Sequence, residues 1–190
     1  MKTKLGALVI EGHVQGLSNT RSLGEKGIPV YVVDKGDCIA KHSRYCTKYF
    51  KCPDYRSDEF ADFLVQLAIT QNIQGWVLFP SNDHAVATIS KHKQRLDKYY
   101  KTNVPEIDIF NKIYDKAELL RTAERVNVPI PKTQYFSFKN ENLSHEIPLP
   151  VITKGRYGLT FYKATSKKAF LANSAEELRN QLNKLSSKLN

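Results

Sequence analysis

No stretch of this sequence approaches the roughly 20 consecutive apolar residues that cross a bilayer as a helix. The apolar run nearest the start, Leu5 to Ile10, stops at Glu11, and no secretory h-region with a small-residue cleavage site follows the basic opening. Cysteine is scarce: Cys38, Cys46 and Cys52 are an odd number with no C-x-x-C spacing. A zinc site using His42 between them would lack the tight paired spacing that such sites show, so reduced thiols of a cytoplasmic protein are the expectation. Acidic residues are outnumbered, 19 Asp and Glu against 29 Lys and Arg, for a net charge of +10. That balance attracts polyanions. Yet no RRM, KH or zinc-finger signature accompanies it, and the dense stretch 91–101 reads as the solvated face of a helix, so nucleic acid is not the expected partner.

What is present suffices for a core. With 10 Tyr and 9 Phe in 190 residues, disorder over most of the length is excluded and one domain or two small ones is expected. Ala7-Leu-Val-Ile-Glu11 is a continuous apolar run, the pattern of a parallel strand buried on both faces. Gly12-His-Val-Gln-Gly16 follows as a turn, then a helix over 17–26 with Leu17 and Leu23 inward, then a second apolar strand ending at Val33 before Asp34. This is one βαβ unit of ordinary size, with a right-handed crossover. A short strand over 49–52 comes next. Ser57 caps a helix running to 71 whose Phe60, Phe63, Leu64, Leu67 and Ala68 form a core stripe. A strand over 76–79 and a helix over 83–100 complete the alternation, which predicts a parallel sheet covered on both faces.

Beyond Thr102 the texture changes. A helix is expected over 108–127, ended by Val128-Pro-Ile-Pro131, then short strands over 133–138, 150–154 and 169–172, with a polar loop over 140–145. Ser174 and Glu177 form a capping box that opens a last helix.

Three places carry candidate chemistry. Gly12, His13 and Gly16 occupy the position of a Rossmann-type phosphate loop, between a strand and a helix N-terminus. The spacing is G-x-x-x-G rather than G-x-G-x-x-G, so a structural glycine turn remains the alternative; Asp34 stands where an NAD ribose partner would be. Ser81, Asn82 and Asp83 follow another parallel strand on the same sheet edge, where they either cap the next helix or meet a ligand. Lys154 ends an apolar strand beside Gly155 and Gly158, a setting suited to phosphate. Lys116 by itself is an ordinary surface lysine.

The order of these pieces resembles a family. Arg21-Ser-Leu-Gly24, Gly27-Ile-Pro-Val30, Ser43-Arg44-Tyr45, Pro80-Ser-Asn-Asp83, Asp115-Lys116, Ala123 through Pro131, and Pro150-Val-Ile-Thr-Lys154 together look like the N-terminal part of an ATP-grasp carboxylate–amine ligase. The resemblance implies an α/β fold: a Rossmann-like parallel sheet, the pre-ATP-grasp domain, over 1–104, followed by a small α+β lobe over 105–190, the first lobe of an ATP-grasp module. It implies that Lys116 and Lys154 contact ATP phosphates, that residues 155–168 correspond to the lid, and that Gly12, His13, Gly16, Ser18, Asn19, Arg21, Ser81, Asn82 and Asp83 lie on the substrate side. The implied reaction uses ATP and Mg²⁺ to activate a small-molecule carboxylate as an acyl phosphate, which an amine then displaces. In the family the metal ligands lie further along, so the expectation is that this chain needs a C-terminal ATP-grasp lobe and is inactive alone. An NAD(P)-binding oxidoreductase domain and a basic nucleic-acid-binding module are the alternatives.

Overall fold

The computed structural model describes residues 5–137 and 148–189. They divide into two compact units, Met1–Phe110 and Asn111–Asn190; the sequence reading divided the chain at 104/105.

In the first unit, β1 (Ala7–Ile10) is buried along its whole length. It is flanked by α1 (Val14–Glu25) and β2 (Val30–Asp34), then β3 (Cys46–Lys51), α2 (Asp58–Thr70), β4 (Val77–Pro80), α3 (Asp83–Lys91) and α4 (Lys93–Leu96). The four strands form one sheet in the order β3-β2-β1-β4. All three pairings are parallel, with Ala7 opposite both Val30 and Val77. The expected parallel arrangement of the strands at 7–11, 30–33 and 76–79 therefore holds, with their C-terminal ends on one edge.

Alternation along the strands assigns the faces. Leu8, Ile10, Tyr31, Val33 and Leu78 pack under Phe60, Leu64, Leu67 and Ala68 of α2 and Ala85 and Ile89 of α3. Val9, Val30 and Val32 face the other way, against Leu17 and Leu23 of α1. A strand buried on both sides needs no polar alternation, which is why its sequence reads as an unbroken apolar run.

Several boundaries differ from expectation. The helix read over 17–26 starts earlier, at Val14, so Gly16 sits in its first turn rather than in the loop. The third strand begins at Cys46, not Tyr49. The helix read over 83–100 breaks at His92. There the imidazole meets Asp58 at 2.8 Å, and the turned chain buries Leu96 and Tyr100, whose hydroxyl donates to the Leu64 carbonyl.

The division between units falls within α5 (Ile107–Tyr114). In the second unit α6 (Lys116–Arg125) is separated from α5 by Asp115, where one continuous helix was expected over 108–127. Residues 133–136 form no strand and Ser137 makes a single bridge; Phe138 and the expected loop 140–145 lie outside the described residues. β5 (Val151–Thr153) pairs antiparallel with β6 (Phe170–Ala172), and between them runs α7 (Gly158–Thr165), a helix the sequence reading missed inside its expected lid. α8 (Ala175–Leu189) opens on the expected cap: the Glu177 N–H donates to Ser174 Oγ, and the Glu177 carboxylate accepts from the Asn173 N–H. A small core joins Phe161, Leu182 and Leu185 with Phe170 and Leu178. The outward pair Ile152 and Leu171, directly opposite each other in the ladder, stays 61% and 55% exposed.

Candidate functional site

The sheet order creates one topological switch. From β1 the chain steps outward through β2 to β3, then returns to the other side of β1 as β4. Loops leaving β1 and β4 therefore splay apart at their C-terminal ends, and open α/β sheets bind ligands in that crevice. The expected substrate residues at 12–19 and 81–83 all belong to these loops and the helices they start.

Strand ends fix the loops tightly. The Glu11 N–H donates to the Val33 carbonyl at 2.9 Å and the Ser81 N–H to the Ile10 carbonyl at 3.0 Å. Glu11 adopts a φ of 71°, the left-handed region that a side chain rarely enters without a compensating reason. Gly16 packs against the same residue: a Cβ on Gly16 would stand 1.9 Å from the Glu11 carbonyl oxygen. Gly12 is equally confined, since a Cβ there would stand 2.3 Å from Cys38 Sγ. The G-x-x-x-G spacing thus serves close approach of helix and neighbouring loop to the strand end.

Of the expected residues, Asn19 and Ser81 are brought together, the amide Nδ2 donating to the hydroxyl at 3.4 Å. Asn82 is the N-cap of α3, accepting from the Ala85 N–H at 2.8 Å; the capping alternative is realised, with its Nδ2 left buried and without a hydrogen-bond partner of good geometry. Asp83 is exposed in the first turn of α3, His13 is the exposed N-cap of α1, and Ser18 and Arg21 are exposed further along α1. Asp34, the ribose partner in the oxidoreductase alternative, uses its carboxylate within the protein: it accepts from the Gly12 N–H at 2.7 Å and the Tyr55 hydroxyl at 3.0 Å.

Glu11 is the residue that sequence reasoning missed. Burial and the neighbouring Asp34 push its carboxyl above the usual range, against weaker opposing effects from His13, Asn82 and Lys35. Its signal was an acid at the end of a wholly apolar strand, directly before the glycine turn. The thiols offer no counterpart: burial raises Cys38 and Cys46 and pushes Cys52 up to about 12.

The second unit carries the two expected phosphate lysines. Asp115, 7% exposed at its side chain, caps α6 by accepting from the Ala117 and Glu118 N–H groups. The same carboxylate accepts from Arg156 Nε at 2.6 Å and the Tyr157 hydroxyl at 3.1 Å, and the Lys116 N–H donates to the Arg156 carbonyl. The segment after β5 is thereby tied to the start of α6. This tether brings the Lys116 ammonium to Gly158, where a Cβ would stand 3.0 Å from Nζ. Gly158 opens α7, whose N-cap Tyr157 supplies no side-chain cap. A cation thus rests beside the positive end of a helix, and an anion placed there would relieve both. Lys154 is exposed just beyond β5. Among the described residues no group of three His, Cys, Asp or Glu could hold a metal ion, so no step is assigned to Mg²⁺ on these residues.

In the dense basic stretch 91–101, three of the cations are locally matched. Lys91 and Arg95 pair with Asp58 and Asp62, and Lys93 with Asp97 at 2.6 Å. Among the described residues no helix is long and apolar enough to cross a membrane.

The four-stranded parallel sheet followed by a small α+β unit is a fold shared with part of several solved synthetase, ligase and carboxylase structures. Solved structures with this fold include N5-carboxyaminoimidazole ribonucleotide synthetase from Thermotoga maritima, at TM-score 0.64 and 19% identity over 93% of this chain and 43% of that one. L-amino acid ligase from Bacillus licheniformis matches at TM-score 0.67 and 13% identity, over 98% of this chain and 42% of that one. Biotin carboxylase from Campylobacter jejuni, solved as a β-γ-ATP complex, matches at TM-score 0.65 and 14% identity, over 97% and 42%. The chain spans less than half the length of these structures. No family model and no curated protein matches its sequence.

Proposed function

We propose that this chain is the N-terminal portion of an ATP-dependent carboxylate–amine ligase. Residues 1–104 serve as a Rossmann-like pre-ATP-grasp domain and 105–190 as the first lobe of the ATP-grasp module. The carrying observation is Lys116, held by the Asp115 tether with its ammonium at the uncapped start of α7. That is a built place for an anion, and Lys154 adds a second cation on the same unit. In the complete enzyme ATP would supply the phosphoryl group that activates the carboxylate. Lys116 and the N–H groups opening α7 offset the phosphate charge. The carboxylate and amine substrates occupy the crevice lined by the loops at 12–19 and 81–83.

Catalysis by this portion alone is not expected, because the described residues hold no metal-ligand set and phosphoryl transfer requires one. Calorimetric titration with ATP tests the reading. Lys116→Ala and Lys154→Ala should each weaken binding by about tenfold, the scale of one charge-assisted hydrogen bond, while Lys98→Ala leaves it unchanged. Equal dissociation constants for all three variants would remove both lysines from the site. Incubation of the chain with ATP, Mg²⁺ and amino acids should release no ADP; turnover at an enzymatic rate that Lys154→Ala abolishes would show that the chain is catalytically sufficient.

A further inference from the structure

We infer that the crevice at the C-terminal ends of β1 and β4 binds a ligand bearing a free primary ammonium group, with the Glu11 carboxylate as its partner. The inference deepens the ligase reading, on which it rests for the word substrate, by giving the crevice a ligand chemistry.

Four observations converge. The first is position: Glu11 ends the central strand at the one point where strand order reverses. Second, the chain is held so that a side chain, rather than a glycine, occupies this corner. Glu11 sits at φ 71° with its carbonyl pressed on Gly16 and its N–H bonded to Val33. Third, charge is unmatched here. Elsewhere in the unit Asp37, Asp54, Asp58, Asp62 and Asp97 each lie within ion-pair distance of a lysine or arginine. Half-buried Glu11 has no ion pair among the described residues, in a chain of net charge +10. Fourth, the Asn82 side-chain amide lies against the Glu11 carboxyl and favours its ionised form, but its buried Nδ2 closes no hydrogen bond of good geometry, so the protein itself gives this carboxylate only a weak partner.

This arrangement decides between the two ligand chemistries a strand–turn–helix corner can take. The N-terminus of α1 would attract a phosphate. However, Glu11 and Asp34 place two carboxyl groups at the strand ends where that phosphate would arrive, and like charge there costs more as water is excluded. A primary ammonium meets the opposite situation: it restores the ionised state that burial disfavours in Glu11. The charged and titratable groups around Glu11 are Asp34, His13 and Lys35. Asp34 adds to the attraction for a cation, while protonated His13 and Lys35 oppose it.

Nuclear magnetic resonance on the ¹⁵N-labelled chain tests this with three probes: L-alaninamide, its N-acetylated form, which lacks the ammonium, and inorganic pyrophosphate. The expected result is that L-alaninamide shifts the backbone amides of Glu11 and Gly12 and the side-chain amide of Asn82, while the acetylated form does not. Glu11→Gln should weaken that binding about tenfold, the loss of one charge-assisted contact. If Glu11→Gln does not fold, the wild type answers through pH: binding should fall on acidification as the Glu11 carboxyl protonates, and should do so in His13→Asn as well. Equal binding of both alanine derivatives, an unchanged affinity in Glu11→Gln, or shifts from pyrophosphate alone would each overturn the inference. ATP binding read at Lys116 is a separate outcome. Failure there with amine binding intact sinks the ligase reading, and the reverse result sinks only the ammonium site.

Discussion

Replacing Gly16 with alanine is expected to destabilise the first unit by about 3 kcal/mol, at the upper end of overpacking costs. Two effects oppose each other. Alanine is the better helix former by about 1 kcal/mol, and Gly16 lies within α1, so propensity alone predicts a gain. Against it, the new Cβ would stand 1.9 Å from the Glu11 carbonyl oxygen and 3.3 Å from Val9 Cγ1. The first of these atoms is backbone and cannot swing aside. Moving it disturbs the bond from the Glu11 N–H to Val33 and the left-handed turn that follows β1. The clash therefore wins, and thermal unfolding should show the midpoint lowered by roughly 10 °C. A midpoint within about 2 °C of the wild type would mean that the helix start is free to shift, and with it the geometry assigned to the crevice.

In the second unit the largest effect is expected from Asp115→Ala, about 2 kcal/mol of stability. Roughly half of it is the N-cap of α6. The rest is the anchoring of the Arg156–Tyr157 segment, discounted because Arg156 is more than half exposed and partly screened by solvent. Asp115→Asn keeps a capping oxygen and should recover most of the cap while losing the charge on which Arg156 rests. Burial works to raise the Asp115 carboxyl, but bonds from Arg156, the Glu118 N–H, Tyr157 and the Ala117 N–H outweigh it and hold the group below 3.8. A depressed acid stabilises the fold above its unfolded value and loses that contribution as pH falls through the folded one. Wild type and Asp115→Asn should therefore differ at pH 7 and converge on acidification, once the pH has fallen through the depressed folded value of Asp115, by circular dichroism of the second unit's unfolding. A constant difference across that range would show that the carboxylate charge contributes nothing.

How much of this was legible follows from what each residue depends on. β1 and β2 could be read because burial on both faces leaves an unbroken apolar run, a property of the strand alone. The stripe of α2 was readable for the same reason: Phe60, Leu64, Leu67 and Ala68 repeat at helical spacing whatever they pack against. Asp115 was read inside a helix, although it caps α6 locally; the partners that hold its carboxylate in that role, Arg156 and Tyr157, lie 41 and 42 residues away. His92 was misjudged likewise, through Asp58. α7 was hidden by two glycines and by the lid the family resemblance suggested at 155–168. Strand order sufficed to place the loops at 12–19 and 81–83 on one sheet edge, whereas the sequence left Gly12 and Gly16 between a structural turn and a ligand loop, because their close approach to Cys38 and Glu11 is set by the tertiary fold. Glu11 itself was read only as the end of a strand. An acidic residue there gains meaning once β4 returns beside β1, which no local window of sequence can show.

The outward pair Ile152 and Leu171 has a colloidal consequence. Two large aliphatic side chains side by side on an exposed ladder make a sticky spot, and mutual repulsion between molecules of charge +10 opposes the contact of such spots in concentrated solution. That repulsion reaches about 10 Å in 0.1 M salt and about 3 Å in 1 M. Added salt therefore withdraws the barrier while strengthening apolar contact. The second virial coefficient of this chain is therefore expected to fall with ionic strength, which light scattering over a salt series would read.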